Sequence, residues 1–468
     1  MTSEDAYRQA LDYLYSFVDY SLTRSFRNTG DAFDLRRMES LLNRLGNPHL
    51  KFPVVHLAGT KGKGSTAALI ASALQAAGHK TGFYTSPHLQ EFNERVQVNG
   101  WMISNDRLVE LVEKLRPHAE ALQRITTFEL TTALAFLYFA EEEVDIAVVE
   151  VGLGGRLDAT NLVHPLVSVI TSLSMDHMAV LGDTLSKIAY EKAGIIKPGR
   201  PVVVAPQKDE ALRVVQQVAE ERLSTLTVLG HDYHYASLDH SLAGQRLYVW
   251  ADEDQDRMDA FIEGQSQEWS PIELSIPLLG YHQIENAATA YAALQIIHKE
   301  GIQVSLENIL AGFAGVFWPG RFEVLRQNPP VIVDSAHNRD SALKLRLALE
   351  DYLPGKQVVL LFGVSEDKDV EGIFAELLPR VKRVVATESI HPRAMKADDL
   401  VKMVHRYGRP AESILPIEAA LERALEIAGN DSAVLVTGSL FIAAGARDAW
   451  KILGYPLREF SSLPITKG

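Results

Sequence analysis

PVVHLAGTKGKGSTAALIASALQAAGHKTGFYTS, residues 53–86, changes period twice, and those changes decide the fold class. PVVHLAGT (53–60) is an apolar run of buried-strand type, and STAALIASALQAAGHK (65–80) has helical periodicity with Gly78 as a stop. TGFYTS (81–86) is apolar again, so the stretch reads as one βαβ unit. The loop between strand and helix holds Gly59, Thr60, Gly62, Lys63, Gly64, Ser65 and Thr66. The standard phosphate-loop spacing, G-x-x-x-x-G-K-[ST], does not fit it. Gly62-Lys63 would need a glycine where Leu57 stands and a hydroxyl where Gly64 stands; the hydroxyls come one place late, at Ser65 and Thr66. The chemistry still suits an anion. Glycines let backbone N–H groups converge on phosphate oxygens, and the helix presents its positive end to them. Lys63 would neutralise β- and γ-phosphate charge, and Ser65 or Thr66 could ligate Mg2+. The competing reading, a plain turn with exposed lysines, leaves the strand–loop–helix context unexplained.

The same alternation continues outward. DIAVVEVG (145–152), LVSVITS (166–172) and PVVVAP (201–206) are Val- and Ile-rich runs without alternation, as parallel strands covered on both faces require. Helical patterns between them predict a doubly wound, mostly parallel sheet of phosphate-loop type. Residues 231–275 are polar, aromatic and turn-rich, and predict a small antiparallel excursion before a helix at YHQIENAATAYAALQIIHK (281–299). GVFWPGRFEVL (315–325) breaks the pattern and marks a domain boundary. Beyond it VIVDSAH, QVVLLFGV, RVVATES and SAVLVTGS predict four buried strands of a smaller, Rossmann-like α/β domain. The expected division is 1–314 and 320–468.

Composition limits the function classes. The 468 residues are 47% hydrophobic and 23% charged, as in an ordinary globular enzyme, and there is no cysteine, which removes disulfides, thiolate metal sites and cysteine nucleophiles. A formal net charge of -14 argues against a nucleic-acid surface, so an anionic substrate would need local basic pockets. The N-terminus has early acids and no basic segment before an apolar core, and no run approaches the roughly 18 apolar residues of a membrane span. A cytoplasmic monomer acting on small molecules, without nucleic acid or membrane partners, is expected.

Candidate site residues recur just after strands. Glu150, in EVGLGGRLDATN (150–161), stands at the carboxyl end of a central strand, where open α/β sheets bind ligands and where a carboxylate could hold Mg2+. A dinucleotide motif fails there because it would need glycine where Leu157 stands. His177, in SMDHMAVLG (174–182), could be a second metal ligand or a base; a lone histidine in this setting is as readily structural. In DTLSKIAYEKAG (183–194), Leu185, Ile188 and Ala189 form an inward stripe that Lys192 joins at i+7. A buried lysine is costly unless paired or chemically changed, whereas a snorkelling one is not. In the second domain, Asp334, His337 and Asn338 follow one strand and Ser439 another, with Arg321 at the hinge; these could close over a nucleotide from the far side.

In order, these segments resemble the folylpolyglutamate synthase/dihydrofolate synthase family of the Mur ligase superfamily, from about Phe33 to the last helix. AGTKGKGST is similar to the family's AGTNGKGST loop with its shifted hydroxyls. TSPHLQEFNERVQVNG (85–100), TTFELTTALAF, EVGLGGRLDATN, the DH…EKAGI segment, PGRFEV, the AHN segment and the final GS complete the match. The resemblance implies an ATP-dependent amide ligase adding L-glutamate to folate, with dihydropteroate as another acceptor, through an acyl phosphate. It implies ATP contacts from the loop, Asn286, Arg321 and Asp334. It implies two Mg2+ ions near Ser65, Ser86, Glu150 and His177, and catalytic roles for Lys63, Glu150, His177 and Lys192, the last as the family's carbamylated lysine. Phe128 and Asp158 match places near the pterin, and His337 and Ser439 places for the incoming glutamate. Lys61 departs from the pattern, standing where the family usually has asparagine. Two alternatives remain: a ligase of the same superfamily with another carboxylate acceptor, and a nucleotide switch without ligase activity.

Overall fold

The computed structural model describes residues 2–17, 34–265 and 268–460; Phe33, where the resemblance begins, lies outside them. The opening stretch folds as strand β1 (Val54–Ala58), helix Lys63–Ala76 and strand β2 (Thr81–Tyr84). They belong to an eight-stranded sheet that also contains β3 (Val96–Val98), β4 (Trp101–Met102), β5 (Ile146–Glu150), β6 (Val167–Ile170), β7 (Val202–Val204) and β8 (Leu226–Val228). The order is β4-β3-β2-β5-β1-β6-β7-β8, parallel from β2 to β8, with β3 and β4 forming an antiparallel edge. The sheet is buried on both faces, as its uninterrupted apolar strands require. One face packs against the helices Lys63–Ala76, Tyr281–Lys299 and Leu306–Gly315, with Leu69, Ile70, Leu294 and Phe313 fully buried. The other packs against Asn105–Glu120 and Thr127–Glu141 through Leu108, Leu111, Leu134 and Phe136.

The chain then makes a three-stranded antiparallel sheet, β9 (Tyr233–Ser241), β10 (Gly244–Ala251) and β11 (Ile272–Ile276), in the order β11-β10-β9. Its inner residues Leu247, Val249 and Leu274 join the first core. The second α/β unit comprises β12 (Glu323–Gln327), β13 (Pro330–Val333), β14 (Val358–Phe362), β15 (Val381–Ala386), β16 (Ala411–Ser413) and β17 (Ala433–Thr437). Their order is β12-β13-β17-β14-β15-β16, parallel except for β12. Separate apolar layers cover its two faces.

The strands absent from the sequence reading, β3, β4, β8, β12 and β16, are short or lie at or beside sheet edges. Two to five residues complete no period, so they carry little local signal. A second difference is the start of the opening helix. It begins at Lys63, two residues before the expected Ser65, because Gly62 adopts the left-handed conformation (φ 88°) and turns the chain straight into the first helical bond, Thr66 N to Gly62 O. An L residue there would pay for that geometry.

Candidate active site

Strand order brings the site together. β5 lies between β2 and β1, so the carboxyl ends of all three, with that of β6, open on one edge. Residues 59–66 occupy this edge after β1. No side chain caps the helix that begins at Lys63, which leaves its first-turn N–H groups free for an anion. Ser65 and Thr66 are buried in that turn, and Thr66 Oγ1 has no hydrogen-bond partner. The front of the loop is fixed differently. Thr60 N and Lys61 N both donate to Ser172 O, at 2.9 and 3.1 Å. Asn286, on the helix Tyr281–Lys299, sits against Gly62 so closely that a Cβ at Gly62 would overlap its Oδ1.

Glu150 closes β5. It is buried, accepts a short hydrogen bond from Thr85 Oγ1 and a longer one (3.4 Å) from Ser86 N, and lies 3.8 Å from Lys63 Nζ. Burial raises its pKa; Lys63, the Thr85 and Ser86 bonds and Arg321 pull the other way. Arg321 thus acts on this carboxylate from the second half of the chain. Lys192 does not snorkel. It is 4% exposed, on the buried stripe with Leu185, Ile188 and Ala189, and its Nζ donates to Gly59 O at 2.8 Å. Burial first, then the charge of Lys63, lowers its pKa to about 7.

His177 has a left-handed backbone (φ 49°, ψ 37°) just before the short helix Met178–Leu181, and more than half of its side chain is exposed. It lies within electrostatic range of Lys63 and Lys192; partial desolvation by the surrounding protein outweighs the opposing pull of Asp176, and its pKa is lowered although the side chain remains more than half exposed. Asp176 accepts from His177 N at 2.9 Å and from Lys61 Nζ at 3.2 Å. Among the described residues no group of three or more His, Asp or Glu side chains is placed to hold a metal.

The Phe128 ring sits so close to Gly152 that a Cβ there would overlap it, and it tilts against Tyr84 at 6.3 Å. Asp158 is buried and accepts from Leu153 N at 2.8 Å and Thr160 N at 3.0 Å. In the second unit Asp334 is held by Phe322 N (2.7 Å) and Ala336 N (2.8 Å), and Arg321 donates to Ser335 Oγ. His337 contacts Ser335 O at 2.9 Å; burial, then the charge of Lys61, lowers its pKa to about 4. Ser439 caps the helix Leu440–Ile452 by accepting from Ile442 N. The sequence reading passed over Thr85, Ser335 and Asp176 as site neighbours. Each lies inside a quoted motif, yet its side-chain partner (Glu150, Arg321 and Lys61 in turn) comes from another segment of the chain.

Two family models match the chain: the Mur ligase middle domain over residues 57–294, and the Mur ligase glutamate ligase domain over residues 320–440. Dihydrofolate synthase/folylpolyglutamate synthase of Bacillus subtilis is 37% identical over 429 residues, covering 89% of this chain and 95% of that protein. The crystal structure of folylpolyglutamate synthase from Thermotoga maritima superposes with a TM-score of 0.81 at 34% identity, covering 98% of this chain and 100% of that one. Folylpolyglutamate synthase of Mycobacterium tuberculosis, solved with ADP and AMPPCP, gives a TM-score of 0.81 at 30% identity, covering 98% and 100%.

Proposed function

Because the chain belongs to the folylpolyglutamate synthase/dihydrofolate synthase family of Mur ligases, we propose that its site couples ATP cleavage to amide formation between L-glutamate and the γ-carboxyl of a folate, with dihydropteroate as a second acceptor. The chain is an ATP-dependent acid–amino-acid ligase. Residues 1–314 hold nucleotide and acceptor, and residues 320–468 supply the amino acid. The observation that carries this reading is the pairing of buried Glu150 with Lys63 at the mouth of an uncapped helix, with the charge of Arg321 acting on it from the other half.

In this mechanism an acceptor carboxylate oxygen attacks the γ-phosphorus, the bond to the ADP oxygen breaks, and an acyl phosphate forms. The amine of glutamate then attacks the acyl carbon; the tetrahedral intermediate expels phosphate and the nitrogen loses its proton. The first-turn amides of the helix that begins at Lys63, with the Lys63 amine, hold the phosphates where charge moves, which is the larger part of such catalysis. Asn286, Arg321 and Asp334 orient the nucleotide. Phe128 and Asp158 seat the pterin, and His337 and Ser439 bind the carboxylates of glutamate. Mg2+ supplies charge neutralisation when bound. Ser65, Ser86, Glu150 and His177 would hold up to two ions, and a set this poor in carboxylates suits a cation that keeps waters and shares phosphate oxygens. Lys192, its amine close to neutrality, is the carbamylation candidate. The protein acts as a cytoplasmic monomer; no helix among the described residues is long and apolar enough to cross a membrane.

The test is ADP release with tetrahydrofolate and with dihydropteroate, each with and without L-glutamate. Release that needs both acceptor and glutamate is expected. Glutamate-independent release, or activity only with a peptidoglycan precursor, would overturn the assignment.

A further inference from the structure

Lys61 is the loop residue that departs from the resemblance, and the mechanism above does not use it. Its Nζ lies 3.2 Å from Asp176 Oδ2, with side-chain exposures of 21% and 27%. The loop does not need this ion pair to keep its shape. Thr60 N and Lys61 N already donate to Ser172 O, Thr60 Oγ1 donates to Ser174 O at 3.2 Å, and Ser174 N lies 3.2 Å from Thr60 Oγ1. Asp176 does not need it either, because its other oxygen accepts from His177 N. A partly exposed pair with both backbones independently anchored exchanges partners at little cost.

The surroundings show what could replace Asp176. The charge of Lys61 is felt by Lys192 in the first unit and by His337 in the second, and Lys61 itself feels Lys63 and Asp340. Its backbone lies in the loop between β1 and the helix Lys63–Ala76, and its amine is held beside Asp176 in the loop that follows β6. In the ligase reading, on which this inference rests, that is where the terminal phosphate of ATP meets the acceptor. We propose that Lys61 is a further phosphate-binding residue, for whose ammonium Asp176 and the γ-phosphate of ATP compete. ADP lacks that phosphate and leaves the Lys61–Asp176 pair in place. The pair then acts as a discriminator, strengthening the site for the triphosphate at the moment of binding and releasing Lys61 back to the carboxylate once the phosphoryl group has gone.

Competition predicts opposite signs for the two partners, which a bracing ion pair does not. Calorimetric titration of the full chain with AMPPCP and with ADP, at fixed Mg2+, separates them. Lys61→Met should weaken AMPPCP about tenfold, the loss of one charge-assisted bond, and change ADP less than about twofold. Asp176→Asn should tighten AMPPCP by about threefold, since the amide still accepts from His177 N but no longer holds the lysine. Lys61→Arg should stay within about threefold of wild type, and Lys61→Asn, the family's usual residue, should behave as Lys61→Met does. Thermal melts confirm that each variant is folded. If Asp176→Asn and Lys61→Met both weaken AMPPCP, or if ADP and AMPPCP suffer equally, the pair only braces the loop and the proposal is wrong. If the wild-type chain binds neither nucleotide, the ligase reading falls with it.

Discussion

Lys63 and Lys192 place two amines on either side of the phosphate loop, one 3.8 Å from Glu150 and the other bonded to Gly59 O. In the proposed mechanism Lys63 opposes the charge that moves with the γ-phosphate. Lys63→Ala is therefore expected to lower kcat/KM by about 10² or more, the scale of other electrostatic clamps. Steady-state ADP release checks it, and a near-normal rate would remove the loop from the mechanism. The task proposed for Lys192 is different. With a pKa lowered to about 7 by burial and by Lys63, its amine is mostly protonated below that pH and mostly neutral above it. Only the neutral form attacks CO2, forming an N–C bond and losing a proton to give the carbamate. Activity should fall as pH drops through about 7, should decline in CO2-free buffer and should recover with bicarbonate. A carbamate resonance with 13C-labelled CO2 reports the modification directly. Lys192→Ala should lose most activity and regain some with short carboxylates. Lys192→Arg should not replace it, because guanidinium keeps the wrong charge. An active Lys192→Arg enzyme would assign the lysine to packing alone.

The decisive element is the turn from β1 into the helix Lys63–Ala76. Gly62 carries it with a positive φ, and Asn286 closes over it from the helix Tyr281–Lys299. Gly62→Ala meets two penalties: left-handed geometry costs an L residue about 1–2 kcal/mol, and the added Cβ pushes Asn286 out of place. Nucleotide affinity should fall about tenfold or more while thermal stability changes only modestly, since the helix itself remains buried. Nucleotide titration beside a thermal melt distinguishes this from general unfolding. A full loss of structure would mean that the turn serves the fold rather than the site. Lys192 belongs to this scale as well. The helical period alone put it on the buried stripe of its helix, and there it lies.

Across the whole molecule, the segment after β2 that carries Thr85 and Ser86 is tied to the second unit. Gln90 Nε2 donates to Asp448 Oδ1 at 2.6 Å, and Gln90 Oε1 accepts from Arg447 Nε at 2.8 Å. Arg447 is 2% exposed and is also ion-paired to Glu323 at the start of β12. Removing one partner of a buried pair leaves an uncompensated charge, so Arg447→Ala should destabilise by about 3–5 kcal/mol. The double variant Arg447→Met/Glu323→Gln should lose clearly less. Urea denaturation of both checks this, and equal losses would show that packing, not charge, fixes Arg447 within the second unit.

From the sequence alone come the alternating strands and helices, the division of the chain into two α/β units, the phosphate loop and the inward phase of Lys192. All of these rest on neighbours within a few residues, where hydrophobic period, glycine and charge act locally. Even the shifted hydroxyls of the loop are legible, because Ser65 and Thr66 lie in the first turn of the helix that follows it. What the tertiary structure decided is which strand ends meet. Glu150 finds Thr85 only because β5 inserts between β2 and β1. Lys192 finds Gly59 across 133 residues, and Lys61 finds Asp176 across 115. Arg321 comes to Glu150 from the other unit. No local period encodes such pairings. They follow from strand order and from packing two layered units face to face, which sets the distances between side chains far apart in the chain.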